Sequence, residues 1–508
     1  MKRPRSFSWK PQNNLTKMDS DPQSLAFDSG GTGKRSQGWG YSSYSPNSAI
    51  SESGNLIVER SREAQRKNSF VHRARTSLCS SELGSELTPF PTTPFPEFNK
   101  QMLELWNEHA PDICIGEQVG VQGLFYLAIM ARQSSGECFI HKINRPKSAG
   151  LALPFQLKIY ESQQCPIWCN SFASNGNQII NGVELDNLGE RVAYWMHKNN
   201  PLEMNLKGSS MELLRIPASE MIHFYHSDLG RCGQLRGIPN GVQSLVPLKV
   251  WSEYDDNESI KASSQAGYTA FVRRSTPSPE QLEQMVALEA AKARNGSVTD
   301  TKLHDDGTGV AAVNLEAGTV QVLADDEDMT FAPTYNSTGG DSFSYRTALR
   351  SAAGLGVSHY ALTGDLSKVN DRVLRFAANE ERRLIKQRLN LFTIPQLCKR
   401  VWQWSVESAV LSGAIQTENF AQNKRKYLKI DFIPEAFAYL QPVQDVNAKV
   451  IALNNGLAAR DTTLREMNLV PEQVDNSRAE SLQREKSLGI DAISLMNEVN
   501  AAKAKAVV

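Results

Sequence analysis

The chain has 508 residues, with 55 Lys+Arg set against 55 Asp+Glu and a formal net charge of +0 at pH 7. That length leaves room for about two to four domains, and the even balance excludes nucleic-acid binding that rests on a globally basic protein. A hydrophobic content of 40% excludes wholesale disorder, and no apolar run approaches the ~20 residues of a membrane-spanning helix.

Seven cysteines, an odd number at irregular spacing, suit a reducing compartment better than a disulfide framework. The start, "MKRPRSFSWKPQNN", is basic but lacks the apolar segment of a secretory signal. Residues 1–55 are rich in Ser, Gly, Asn and Pro, which predicts an arm that orders only against a neighbour. "NLIVERSREAQRKNSFVHRARTSL" has helical character. "TPFPTTPFPEF" (88–98) is expected to be extended, because each proline disfavours helix in the residue before it. "EFNKQMLELWNEHAPD" reads as an amphipathic helix with Met102, Leu105 and Trp106 on one side, and "VGVQGLFYLAIMARQSSG" as a buried helix. Five strand candidates follow between turn signals: "GECFIHKI", "FQLKIYE", "ERVAYWMH", "MELLRI" and "EMIHFYH". Together they predict an α+β domain over about 56–239.

From Asn240 the pattern changes. "VPLKVWSEYDDNESIKASSQAGYTAFV" predicts a long helix, weakened by Gly267, and "SPEQLEQMVALEAAKARNG" (278–296) a helix with a capping box. "GTVQVLADDEDMTFAPT" suggests two extended segments around an acidic turn, so a small unit is inserted before a helix near Asp341. A second charged helix runs from about Asn370 to Thr393 with Arg372, Arg375, Arg382, Arg383, Lys386 and Arg388, and Pro395 kinks or restarts it. "NKRKYLKI" reads as a basic connector. The C-terminal segment reads as paired helices turning at Asn455-Gly456, with the last twenty residues frayed.

Short motifs give little chemistry. "GGTGKR" (30–35) has Asp28 where a phosphate loop needs glycine and Arg35 where it needs a hydroxyl. Cys165, Cys169, His223, His226 and Cys232 suggest zinc, but only one cysteine pair is present and the histidines point to opposite faces of a strand; buried cysteines are the plainer reading. "ADDEDM" (324–329) lacks calcium-loop spacing. Neither Gly-x-Ser-x-Gly nor His-Glu-x-x-His occurs. The arginine cluster reads either as a solvated helix face or as a surface for a polyanion.

Four segments in register carry a resemblance. They are "AAGLGVSHYALTGDLS" with its continuation "NDRVLRFAANEERR", "IINGVELDNLGERVAYWMHKNNP", "IPASEMIHFYHSDLGRCGQLRGIPNGV", and the tail from "IDFIPEAFAYL". Over roughly 56–490 the chain resembles the lambda-type portal proteins of tailed bacteriophages; Asn370, Arg375 and Glu380 fit the family pattern, while Asp371, Arg372 and Val373 depart from it. The resemblance implies an α+β, portal-type subunit. Its parts would be a flexible N-terminal arm (1–55), an α+β wing (56–239), a first stem helix (240–263), an inserted clip (264–333), a second stem helix (334–363), a channel loop with the long helix after it (364–440), and a helical crown (441–508). It implies a homo-oligomeric ring, usually dodecameric, at a capsid vertex of the virion, made in the host cytoplasm. The ring would pass double-stranded DNA without regard to sequence during packaging and ejection. Partners would be the terminase large subunit, which supplies ATP hydrolysis, the major capsid protein, a scaffold and a head-tail adaptor, with no membrane, no cofactor, no metal and no catalytic residue. A conduit needs weak, repeated phosphate contact, since each neutralised phosphate adds affinity. Lys368, Arg372 and Arg375 are therefore expected to touch DNA, with Asp365 and Asp371 limiting the grip, and Gly354, Gly356 and Gly364 to make the structural turn. Rival readings are another structural or minor capsid protein of the virion, and a cysteine- or metal-dependent enzyme using Cys165, Cys169 or His223.

Overall fold

The computed structural model describes residues 44–203, 212–227, 230–267, 270–274, 283, 286–287, 327–331, 340–367, 370–435, 437, 441–467 and 469–488. Its first helix, α1 (Pro46–Lys67), starts inside the stretch expected to be an arm. The Ser45 hydroxyl accepts from the Ser48 N–H at 3.1 Å and Pro46 takes the first helical position, so a cap signal outweighs the polar composition there. Asn68 breaks the helix and caps α2 (Ser69–Leu83), its Oδ1 accepting from the Phe70 and Val71 N–H groups.

The proline-rich loop forms β1 (Leu87–Pro91), but Pro96 to Phe98, also expected to be extended, open a helix, with proline at its first position. Helices α3 (Pro96–His109) and α4 (Val121–Ser135) follow. Next come β2 (Glu137–Asn144), β3 (Phe155–Tyr160), the short β4 (Ser171–Phe172), β5 (Gln178–Ile180) and β6 (Val183–Leu185), then β7 (Arg191–His197), β8 (Leu213–Pro217) and β9 (Met221–Tyr225). The five expected strands are β2, β3, β7, β8 and β9. They fall into two antiparallel sheets, β3-β2-β9 and the meander β4-β5-β6-β7-β8.

Helix α5 (Val242–Gly267) starts earlier than its apolar pattern suggests and carries Pro247 within it. It ends before Phe271 and Val272, which belong to β10 (Ala270–Arg274) instead. That strand pairs antiparallel with β11 (Glu327–Phe331), which begins at the acidic end of "ADDEDM". The expected helix over 278–296, residues 1–43 and Lys368 lie largely or wholly outside the described residues. Helices α6 (Gly340–Leu355), α7 (His359–Thr363) and α8 (Asp371–Arg388) follow.

At Pro395 the chain does not restart. Residues Leu389–Cys398 widen into a π-helix that runs directly into α9 (Lys399–Ser412). A proline ring collides with the carbonyl four residues back in an α-helix, and the wider turn moves that carbonyl aside. The basic connector is a helix, α10 (Phe420–Tyr427), followed by β12 (Ile430–Pro434), which pairs with β1. The chain continues with α11 (Pro442–Asn454), α12 (Arg460–Glu466) and α13 (Pro471–Ser487).

Three apolar clusters hold these elements. The first joins α3, α4, β2, β3, β9, the π segment, α9 and β12, with Trp106 and Trp402 rings 5.3 Å apart inside it. The second packs α2 against α5 and α6, where the Phe70 and Trp251 rings stack at 4.5 Å. The third lies between the two sheets around Phe139 and Tyr194. The π segment is rooted by a buried polar set. Arg132 pairs with Glu82 at 2.6 Å, the Thr393 hydroxyl donates to Glu82, and Arg132 Nη1 approaches His226 Nε2 at 2.8 Å. An arginine can only donate, so that imidazole nitrogen accepts. Burial, with the Arg132 and Arg388 charges nearby, pushes His226 down to about 2.

Candidate nucleic-acid interface

The segment from α6 to α8 is built from local signals. Gly356 closes α6 with φ +71, donating its N–H to Ala353 O at 3.3 Å. The Ser358 hydroxyl then caps α7, accepting from the Ala361 N–H at 3.4 Å. Gly364 ends α7 with φ +78, a conformation that L side chains adopt only under strain. Asp365 orders the following turn, its Oδ1 accepting from the Ser367 N–H at 2.9 Å, and Asn370 caps α8 by accepting from the Arg372 N–H at 3.0 Å.

Gly354 does not serve the turn. It sits inside α6, and a Cβ there would lie 2.0 Å from Ser244 Oγ on α5. Its missing side chain lets two helices approach, a role that sequence spacing did not separate from the turn glycines beside it.

Helix α8 divides into three faces. At about 100° per residue, Arg372, Arg375, Asn379, Arg382, Arg383 and Lys386 share a sector of about 100°. Arg372, Arg383 and Lys386 in it are exposed, while Arg375 and Arg382 are half-buried, the latter with its guanidinium 5.1 Å from the Phe437 ring centre. A second sector is apolar and exposed, carrying Val373, Phe376 and Leu384. The third faces the protein through Ile385 and Glu381. Glu381 accepts from the Tyr360 hydroxyl at 3.2 Å and the Ser358 hydroxyl at 3.4 Å, which ties α8 to α7.

Glu380 and Glu381 lie off the basic sector, Glu380 on the apolar side and Glu381 inward. By helical position Asp371 stands at the sector's edge, one turn before Arg375. Asp365 lies in the loop and Arg372 and Arg375 in the first turns of α8; Lys368 lies outside the described residues. Sequence reading missed Arg73 of α2, whose Nε donates to Ala361 O at 3.0 Å beneath the same turn. No local signal could have supplied it, because 288 residues separate the two.

The residues of the rival enzyme reading, Cys165, Cys169 and His223, are all buried. His223 and Glu137 are hydrogen-bonded at 2.8 Å, and Arg236 Nε donates to the same carboxylate at 2.8 Å. Burial raises the Glu137 pKa, but Arg236 and His223 outweigh it and hold the group down at about 2. Burial pushes the Cys165 thiol up to about 12, which leaves it unreactive near neutrality. Among the described residues no group of three or more His, Cys, Asp or Glu could hold a metal ion, and no helix is long and apolar enough to cross a membrane.

Comparison with known proteins adds four likenesses. The family model described as phage portal protein, lambda family, matches residues 32–388. A curated relative, the "Probable portal protein" of Halomonas phage phiHAP-1, is 27% identical over 339 residues, which is 66% of this chain and only 61% of the relative's length. Among solved structures, the neck of an empty GTA particle (C6 symmetry) is 14% identical with a TM-score of 0.45, covering 82% of this chain and 94% of its own. An HK97 family phage portal protein from Corynebacterium diphtheriae is 11% identical with a TM-score of 0.27, covering 70% of this chain and 97% of its own.

Proposed function

The chain belongs to the lambda family of phage portal proteins, and from that premise we propose that its copies close into a ring at one capsid vertex and conduct double-stranded DNA. In this reading α1 to β9 form the wing, α5 and α6 the stem, the unit containing β10 and β11 the clip, and α11 to α13 the crown. The turn at 364–370 and the basic sector of α8 face the channel. A terminase motor, the capsid protein with its scaffold, and a head-tail adaptor would dock on the ring.

The observation that carries the proposal is the separation of charge on α8. Five cations occupy one sector, and the neighbouring glutamates are turned away from it. A merely solvated helix gains from interleaving the two signs at i, i+4, whereas a surface for a phosphate backbone gains from keeping them apart. The chain as a whole remains neutral, so the basic sector is local and its grip limited.

Two measurements test the reading. Negative-stain microscopy of the purified protein should show rings with an axial hole. In the assembled particle, Arg372→Gln with Arg375→Gln should alter DNA packaging or retention while ring formation survives. Normal packaging by that variant, with Lys368→Gln added, would overturn the channel assignment.

A further inference from the structure

The first turn of α1 is locked in place from two sides. Asn47 Nδ2 donates to Gly233 O at 2.9 Å and its Oδ1 accepts from the Leu235 N–H at 2.9 Å, while Asn181 Nδ2 donates to Asn47 O at 3.1 Å. One residue before the cap, Tyr44 O accepts from Arg231 Nη1 at 2.8 Å. These contacts fix the point at which residues 1–43 join the described chain.

That point is the wall of an open groove between the first turns of α1 and the hairpin of β4 and β5. Its volume is about 810 Å³, in the range of clefts that take ligand-sized groups. Tyr44 and Phe172, 51% and 75% exposed, stand on its walls, together with Ile180 and the polar side chains of Ser48 and Gln178. Glu52 is the one charged side chain lining it, exposed and without an ion-pair partner among the described residues.

The sequence immediately before Tyr44 is complementary to these walls. Trp39 and Tyr41 alternate with Gly38 and Gly40. Glycines without a Cβ let a backbone lie close to a surface, and the two rings supply apolar area with polar tips. Lys34 and Arg35 precede them, and no acid occurs among residues 29–43, so the charge of the stretch is opposite to that of Glu52. The reach is sufficient. At ~3.4 Å per residue, Trp39 stays within ~17 Å of Tyr44 and Arg35 within ~30 Å. The family model begins at residue 32, which sets 32–43 apart from the residues before it.

We propose that residues 34–43 fold back into this groove in their own copy, with Trp39 and Tyr41 against Phe172 and Ile180 and the Lys34-Arg35 pair beside Glu52. A stretch this polar orders only against a surface, and the groove supplies one within the same chain. A tether of five residues holds the Trp39 ring near the groove at roughly millimolar effective concentration, which favours the chain's own arm over that of a second copy. The inference goes beyond the channel reading and does not depend on it. It names a strap that ties the start of the chain to the β4–β5 hairpin.

The test uses the full chain. Hydrogen exchange over residues 36–43 should be slowed at least about tenfold relative to a free peptide of that sequence. Phe172→Ser should abolish the slowing. Trp39→Ala with Tyr41→Ala should speed exchange over 170–180 and leave α9 unchanged. With the exposed Cys232 changed to Ser, Gly38→Cys and Gln178→Cys in one chain should give an intrachain disulfide on oxidation with diamide. Exchange over 36–43 at the free-peptide rate overturns the docking and leaves the ring reading untouched. Slowing that survives Phe172→Ser puts the arm elsewhere and overturns the groove. A disulfide found only between chains gives the groove to a second copy's arm and overturns the own-copy assignment.

Discussion

Adding a methyl group at Gly354 tests the crossing of α5 and α6. The new Cβ of Gly354→Ala would stand 2.0 Å from Ser244 Oγ, 3.3 Å from Ser244 Cβ and 3.4 Å from its nitrogen. Only the first distance is prohibitive, so the hydroxyl must rotate away or the helices must part. Rotation breaks the bond from Ser244 Oγ to Ser351 O, worth about 1 kcal/mol. Parting the helices loosens Leu248, Trp251, Ala348 and Ala352, at an overpacking cost of about 1–3 kcal/mol. Alanine's better helix propensity returns at most ~1 kcal/mol. The net loss is about 2 kcal/mol, equivalent to a rise of roughly 30-fold in the local opening constant. Hydrogen exchange of peptides covering α5 and α6 reads that quantity directly, because it reports local opening rather than global unfolding. Ser244→Ala removes the offending atom, so the double variant should exchange at nearly the rate of Ser244→Ala alone. Gly354→Ala exchanging as slowly as the parent chain, or a double variant as fast as Gly354→Ala, would refute the steric account.

Acidification should destabilise the fold in two stages. His223 and His226 are held at about 4 and about 2, below the ordinary 6.5, so the unfolded chain binds more protons as pH falls below about 6.5. Each then removes roughly 1.4 kcal/mol per pH unit, and Glu137, held at about 2, adds its own loss between about 4.5 and 2. Denaturant midpoints at pH 7, 6 and 5 should fall in order; a flat series contradicts the buried neutral histidines. Thiol labelling of the native chain should modify the exposed Cys232 quickly and Cys79, Cys138, Cys165, Cys169 and Cys398 slowly, since those five are buried. Rapid labelling of Cys165 would show that its packing is wrong.

Periodicity and turn chemistry made most elements legible. The apolar run in "ERVAYWMH" between turn signals marks β7, and the amphipathic spacing of Met102 and Trp106 marks α3. The failures have physical causes. Strands β4 to β6 are two or three residues long, too short for any period to show, and their pairing rather than their sequence makes them strands. The basic run 424–426 forms the end of α10, where lysines and arginine suit the negative end of a helix dipole. In the candidate interface, the cations were legible but their separation from the acids was not, until the inward face of α8 was fixed by Ile385. Gly354 looked like a turn residue because Gly356 lies two places on. Only the partner helix, more than a hundred residues earlier in the chain, distinguishes a turn from a crossing.

The same contacts bear on how the basic sector could be held still. Helix α8 begins at a cap made by Asn370, is tied at its middle to α7 through Glu381, and continues without a break into the π segment. That segment is fixed by Thr393 to a buried carboxylate that also pairs with Arg132 of α4. Moving the α8 cations would therefore draw Thr393 away from Glu82 and break a buried hydrogen bond to a charged group, a cost of about 1.5–3 kcal/mol. A surface meant to follow a ligand would sit on a loosely attached loop. This one is anchored to the core at the end away from the turn. If DNA is the ligand, as proposed, its phosphates meet a charged face that the core holds in place.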